Sequence, residues 1–177
     1  MTSMSSYLAF DIATSTGWAS GAPNTRPAHG SFECHAPPVN TDTSKSFARF
    51  GNYVDNILKI YAPWVVGIEQ PIIQPTDNWS DVFILTGRVA VCEMLCANRG
   101  IPTRRYPNRT WRNAFLGKMA PDLSHLKGKS EKLRAERRKL HKEAVMRVCR
   151  LHGWAPRNDD EADALGILHY MLSTERT

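Results

Sequence analysis

Four carboxylates stand where a folded chain could gather them. Asp11 closes the apolar, β-prone run Tyr7-Leu-Ala-Phe-Asp-Ile12, and Glu69 closes a second run, Trp64-Val-Val-Gly-Ile-Glu69, two residues before Pro71. Asp160 and Asp163 open a late apolar segment and, three residues apart, share one helical face. Clustered acids repel, and a divalent cation is what makes such a cluster favourable. Mg²⁺, with Mn²⁺ as a substitute, prefers hard oxygen ligands and leaves room for phosphate or water. Two such ions about 4 Å apart can activate a water and stabilise the leaving oxygen of a phosphodiester, so the chemistry these acids point to is metal-assisted hydrolysis. Taken singly each has a duller reading: Asp160 and Asp163 as first-turn acids favoured by the helix dipole, Asp11 as a turn residue. Glu69 resists such a reading, because the run it ends is otherwise apolar.

The elements that must position these acids follow from the pattern of residues. Residues 7–12 form a strand, a small-residue turn leads into a second strand near Trp18, and Ser31-Phe-Glu-Cys-His35 makes a third, together an antiparallel meander. Phe47, Phe50, Val54, Ile57 and Tyr61 recur at helical steps until Pro63. The run 64–69 is a strand covered on both faces, and residues 81–99 form a long apolar helix ending at Gly100. Ile101 to Pro107 is a short strand. Residues 117–139 read as a mobile, charged loop running into a basic helix that ends at Gly153, and residues 160–174 form the last helix. Three antiparallel strands followed by alternating strands and helices predict an α/β fold, a mixed five-stranded sheet flanked by helices.

Charge is unevenly spread. The chain of 177 residues has 23 Lys and Arg against 17 Asp and Glu, a net +6. Residues 99–150 alone hold 16 basic and 4 acidic side chains, and the remainder is acidic. Arg104, Arg105, Arg109 and Arg112, then Lys118, Lys127 and Lys129, suit contacts to phosphates rather than to base edges. Lys118 is also the candidate for steadying charge in the transition state. Trp79, with Ile72 and Ile73, follows Glu69 in a polar stretch and could stack on bases or, equally, pack in an interface. The histidines are scattered without ligand spacing and receive no role.

Length and composition narrow the remainder. The chain suits one domain spanning 1–177, and 42% hydrophobic with 23% charged residues is a globular mixture. No run is long enough to span a bilayer, and the N-terminus has no secretory pattern. Cys34, Cys92, Cys96 and Cys149 form no Cys-x-x-Cys pair and read as reduced thiols, with Cys92 and Cys96 on a buried helix face. The expected location is the cytoplasm.

Three motifs in order, Phe10-Asp-Ile-Ala-Thr-Ser-Thr-Gly-Trp-Ala19, Gly67-Ile-Glu-Gln-Pro71 and Asp160-Glu-Ala-Asp-Ala-Leu165, make the chain resemble the RuvC family of Holliday-junction resolvases within the RNase H-like superfamily. The resemblance covers most of residues 7–172, and Trp111-Arg-Asn-Ala-Phe-Leu-Gly-Lys118 before a basic segment is similar to phage-encoded members, which would place the protein in a bacterial host cell. It departs at Ala13, where the family often has Gly. The resemblance implies that Asp11, Glu69, Asp160 and Asp163 are the catalytic metal ligands. It further implies that a homodimer nicks two opposed strands of a four-way DNA junction. Two other readings stay open: a related nuclease acting on flaps or RNA–DNA hybrids, and a branched-DNA-binding protein that does not cut. The presence of all four acids disfavours the second of these. Actin-like kinases, which share an early Asp followed by Thr, Ser and Gly, need a longer two-domain chain.

Overall fold

In the computed structural model, which describes residues 6–34, 42–74, 78–128 and 130–175, a five-stranded sheet separates two layers of helices. The strands are β1 (Tyr7–Asp11), β2 (Ser15–Gly21), β3 (Ala28–Glu33), β4 (Val65–Glu69) and β5 (Thr103–Tyr106), in the order β3-β2-β1-β4-β5. The first three are antiparallel neighbours, and β1, β4 and β5 run parallel. This is the mixed sheet expected from the order of elements. Helices α1 (Ser44–Tyr61) and α2 (Trp79–Ala97) cover one face. Helices α3 (Asn108–Leu116), α4 (Glu131–Leu151) and α5 (Asp159–Thr174) cover the other.

Alternation along the strands decides which side chains meet which layer. Leu8, Phe10, Val66 and Ile68 enter the core under α1 and α2. Ala9 and Val65 enter the core of α3, α4 and α5, and Asp11 and Glu69 continue the same alternating sets. The residues under α5 are small, which lets that helix lie close to the sheet. A β-carbon at Gly67 would stand 2.3 Å from the Met171 sulfur, and one at Gly17 would stand 1.9 Å from the Asp160 carbonyl oxygen. Residues 161–168 of α5 are therefore buried on all sides, which explains an apolar run with little amphipathic character.

Three local expectations change. Helix α3 was not anticipated: only nine residues long, it has three buried side chains, Trp111, Phe115 and Leu116, and starts directly after Pro107. Helix α2 starts at Trp79 rather than residue 81, because the Asn78 side chain accepts the Ser80 N–H and caps it. Within 117–139, a 3-10 turn at Gly117–Met119 is followed by irregular chain, and α4 begins at Glu131 with Ser130 as its cap. Arg137 ties that preceding chain down by donating to the carbonyls of Leu126 and Gly128. The third strand ends at Glu33, and His35 lies outside the described residues.

Candidate active site

Parallel pairing of β1 with β4 sets Phe10 opposite Ile68, so the next residues, Asp11 and Glu69, leave the sheet side by side. Helix α5 crosses above them and lowers Asp163 into the same space. Carboxylate oxygens of Asp11, Glu69 and Asp163 all lie within 4.8 Å of one another. Asp160, one turn earlier on α5, stands at the rim: Ser15 bonds its carboxylate, and its charge is felt by Asp11. The structure thus brings three of the four predicted acids into one cluster and leaves the fourth adjacent.

The electrostatics fit crowded acids without enough countercharge. Burial, then the charges of Glu69, Asp163 and Asp160, hold the Asp11 carboxyl well above its usual range, with Arg112 opposing. Glu69 is raised by burial despite the hydrogen bond from Asn108 and the nearby charge of Arg112. Asp163 is pushed up to about 7, chiefly by burial, while Arg112 pulls it down. Asp163 Oδ1 is buried without a partner. Hard oxygen donors, mutual repulsion and one bare carboxylate oxygen suit a hard divalent cation.

Two residues that serve these acids come from α3. Asn108 donates its side-chain amide to Glu69 Oε1, and Arg112, one turn on, donates to Asp163 Oδ2 at 2.9 Å. Their i,i+4 spacing puts both on one helical face, a signal that reads only once residues 108–116 are known to be helical. Asn108 was not foreseen at all, and Arg112, expected at a phosphate, instead engages a carboxylate.

Glu161 was also missed. Between the two aspartates of α5, its carboxylate is completely buried and faces away from them, toward β3. It accepts hydrogen bonds from His29 Nδ1, the Ser31 hydroxyl, and the backbone N–H and guanidinium of Arg157, all between 2.8 and 3.1 Å. Asn158 caps α5 by accepting the Glu161 N–H and donates to Ser31. These bonds fasten the start of α5 to the β2–β3 hairpin and so fix where Asp160 and Asp163 emerge.

The predicted cations are dispersed. Lys118 lies exposed in the 3-10 turn; the lysine whose charge bears on Asp160 and Asp163 is Lys142 of α4, which pairs with Asp159. Arg104 pairs with Glu175, and Arg105 grips Glu93 through two 2.7 Å bonds. Arg109 and Lys127 are exposed, and Lys129 lies outside the described residues. Trp79 is 78% exposed at the start of α2, and Ile72 and Ile73 are exposed between β4 and that helix. All four cysteines are free and buried. No described helix is long and apolar enough to cross a membrane.

Sheet order, helix layers and strand-end acids together define an RNase H-like fold. Its particular form is RuvC-like. Over 98% of its length the chain aligns with T. thermophilus RuvC in complex with a Holliday junction substrate, covering 97% of that chain at TM-score 0.66 and 14% identity. A second T. thermophilus RuvC structure aligns at TM-score 0.63 and 15% identity, with 96% of this chain and 95% of that one covered. The yeast mitochondrial Holliday junction resolvase Ydc2 aligns at TM-score 0.52 and 14% identity, covering 93% of this chain and 76% of that one. No protein-family model and no curated protein sequence matches the chain.

Proposed function

We propose that the protein is a divalent-metal-dependent endonuclease that resolves four-way and related branched DNA junctions by hydrolysing phosphodiesters. The observation that carries this reading is the convergence of Asp11, Glu69 and Asp163 at the ends of β1 and β4 under α5, within a RuvC-like fold. Asp11, Glu69 and Asp163, with Asp160 beside them, would hold Mg²⁺ or Mn²⁺, which supplies Lewis-acid charge to activate water and steady the leaving oxygen. Asn108 occupies one oxygen of Glu69 and Arg112 one oxygen of Asp163, so each acid presents its other oxygen to the site. The acids are partly to fully shielded from solvent, which strengthens the charge interactions among them.

Paired nicking needs two sites, and the proposal includes a homodimer. Ile72, Ile73, Trp79 and Phe83 are each at least half exposed in the segment that begins three residues after Glu69, and such apolar side chains suit contact with a second copy or with unstacked bases. The test is cleavage of an end-labelled four-way junction beside flap, linear duplex and RNA–DNA hybrid, in Mg²⁺, Mn²⁺ and EDTA, with Asp11→Asn as control. Metal-dependent paired nicks confined to the junction and absent from Asp11→Asn support the reading. Preferential cutting of flap or hybrid moves the same carboxylates to another substrate, and binding without cutting under either metal removes the catalytic claim. A monomer at all concentrations in sizing experiments sinks paired nicking.

A further inference from the structure

The acid-lined site must be held against a polyanion, so exposed cations without carboxylate partners are needed near it. The arginines of β5 do not meet that need, since Arg104 is paired with Glu175 and Arg105 is held at both oxygens by Glu93. Helix α4 offers a different surface. Arg138, Lys139, Lys142 and Arg150 are exposed along one side of the helix, with half-buried Met146 between the last two and steps of three and four after Lys139. They line a trough of about 580 Å³, which Glu143 and Asp159 also border.

Among the described residues Lys139 and Arg150 form no ion pair. Arg138 meets only Glu131 of its own helix, a solvent-exposed pair that contributes little. Lys142 joins the trough to the active site, because its partner Asp159 precedes Asp160 and its charge acts on both Asp160 and Asp163. From residue 138 to 150 the helix rises about 18 Å at 1.5 Å per residue. A strand laid along that length would present several phosphates to the cations. Met146, half-buried against the core beneath α4, forms part of the trough wall between the cations.

We infer that this face of α4 is the track that grips the phosphodiester backbone of one DNA strand and leads it to the carboxylates, in the role expected of Arg104 and Arg105. The inference rests on the nucleic-acid reading above and adds the surface that does the holding. Lys139 and Arg150 are the anchoring contacts, and Lys142 sets the end of the track beside Asp160.

The experiment measures junction affinity by fluorescence anisotropy between about 50 and 200 mM salt, in the non-cutting Asp11→Asn protein. Lys139→Gln with Arg150→Gln is compared with Arg104→Gln and Arg105→Gln, each pair checked by thermal melting. The α4 pair is expected to weaken binding at least tenfold at low salt and to reduce the slope of log K against log salt by about 2, near 0.9 for each lost phosphate contact. The β5 pair should leave both within experimental scatter. An unchanged slope in the α4 pair, or an equal loss in the β5 pair, overturns the assignment while the nucleic-acid reading stands. Failure of the Asp11→Asn parent to bind any DNA overturns both.

Discussion

Arg112 Nη2 lies 2.9 Å from Asp163 Oδ2, and it is the guanidinium that opposes the raised proton affinity of Asp11, Glu69 and Asp163 alike. One cation thus serves three acids, and it does so from α3, which is anchored by Trp111 beneath α5. Arg112→Gln should weaken Mn²⁺ binding about tenfold, because Asp163 loses the partner that fixes its orientation and favours its charged form. Titration calorimetry checks this. Arg112→Lys should restore only part of the loss, since an ammonium lacks the planar fork.

The metal-free protein should lose stability as pH rises. The Asp163 carboxyl in the folded state is raised to about 7 from an ordinary 3.8. The native state therefore binds more protons than the unfolded chain between those values. Stability from this group is full below about 4 and is lost as pH rises through about 7, with raised Asp11 and Glu69 acting in the same direction. Melting in EDTA should show Tm falling across this window, and added Mg²⁺ should recover it above pH 7. One kcal/mol moves Tm by about 2–4 °C in a chain of this size, so the effect is readable. A flat profile in EDTA would contradict the crowded-acid account.

Asp11→Asn removes an acid whose charged form is opposed by burial and by Glu69, Asp163 and Asp160. It should raise Tm in EDTA at pH 8 while cutting junction cleavage at least 1000-fold, the trade expected when function holds like charges together. The Mg²⁺-dependent rise in Tm should shrink in the same variant. Loss of stability in EDTA would count against the repulsion.

Gly17→Ala should damage the site more than Gly67→Ala. At Gly17 the added carbon meets the backbone of Asp160, at 1.9 Å from its oxygen and 2.3 Å from its carbonyl carbon, so the start of α5 must move. At Gly67 the first contact is the flexible Met171 side chain. Both should cost about 1–3 kcal/mol by overpacking. Only Gly17→Ala should also weaken metal binding at matched folded fraction.

Glu161→Gln tests the fastening of α5. Its carboxyl is held below its usual range, with hydrogen bonds from Arg157, His29 and Ser31 outweighing burial. The stability it contributes is present above about 4.5 and is lost as pH falls through the lowered folded value. Glu161→Gln should cost about 1–3 kcal/mol at pH 7, since exposed Arg157 can return to water while Ser31 and the Arg157 N–H lose a charged acceptor. Denaturant melts at pH 7 and pH 4 should show the wild-type advantage narrowing in acid.

Local pattern carried much of this protein. Acids ending apolar runs at Asp11 and Glu69, two aspartates one turn apart, and the succession of strand and helix periods were all legible, because each depends on residues close together in the chain. Tertiary structure decided what needs proximity between distant segments. It set three acids within reach of a common ion and left Asp160 at the rim. It turned the cations at Arg104, Arg105 and Arg112 toward Glu175, Glu93 and Asp163, as many as 71 residues away. It made Glu161, one more acid in the run Asp159-Asp160-Glu161, the buried fastener of α5 because the β2–β3 hairpin supplies its donors. Spacing along the chain can put a charge on a face, but which opposite charge that face meets depends on how the layers close around the sheet.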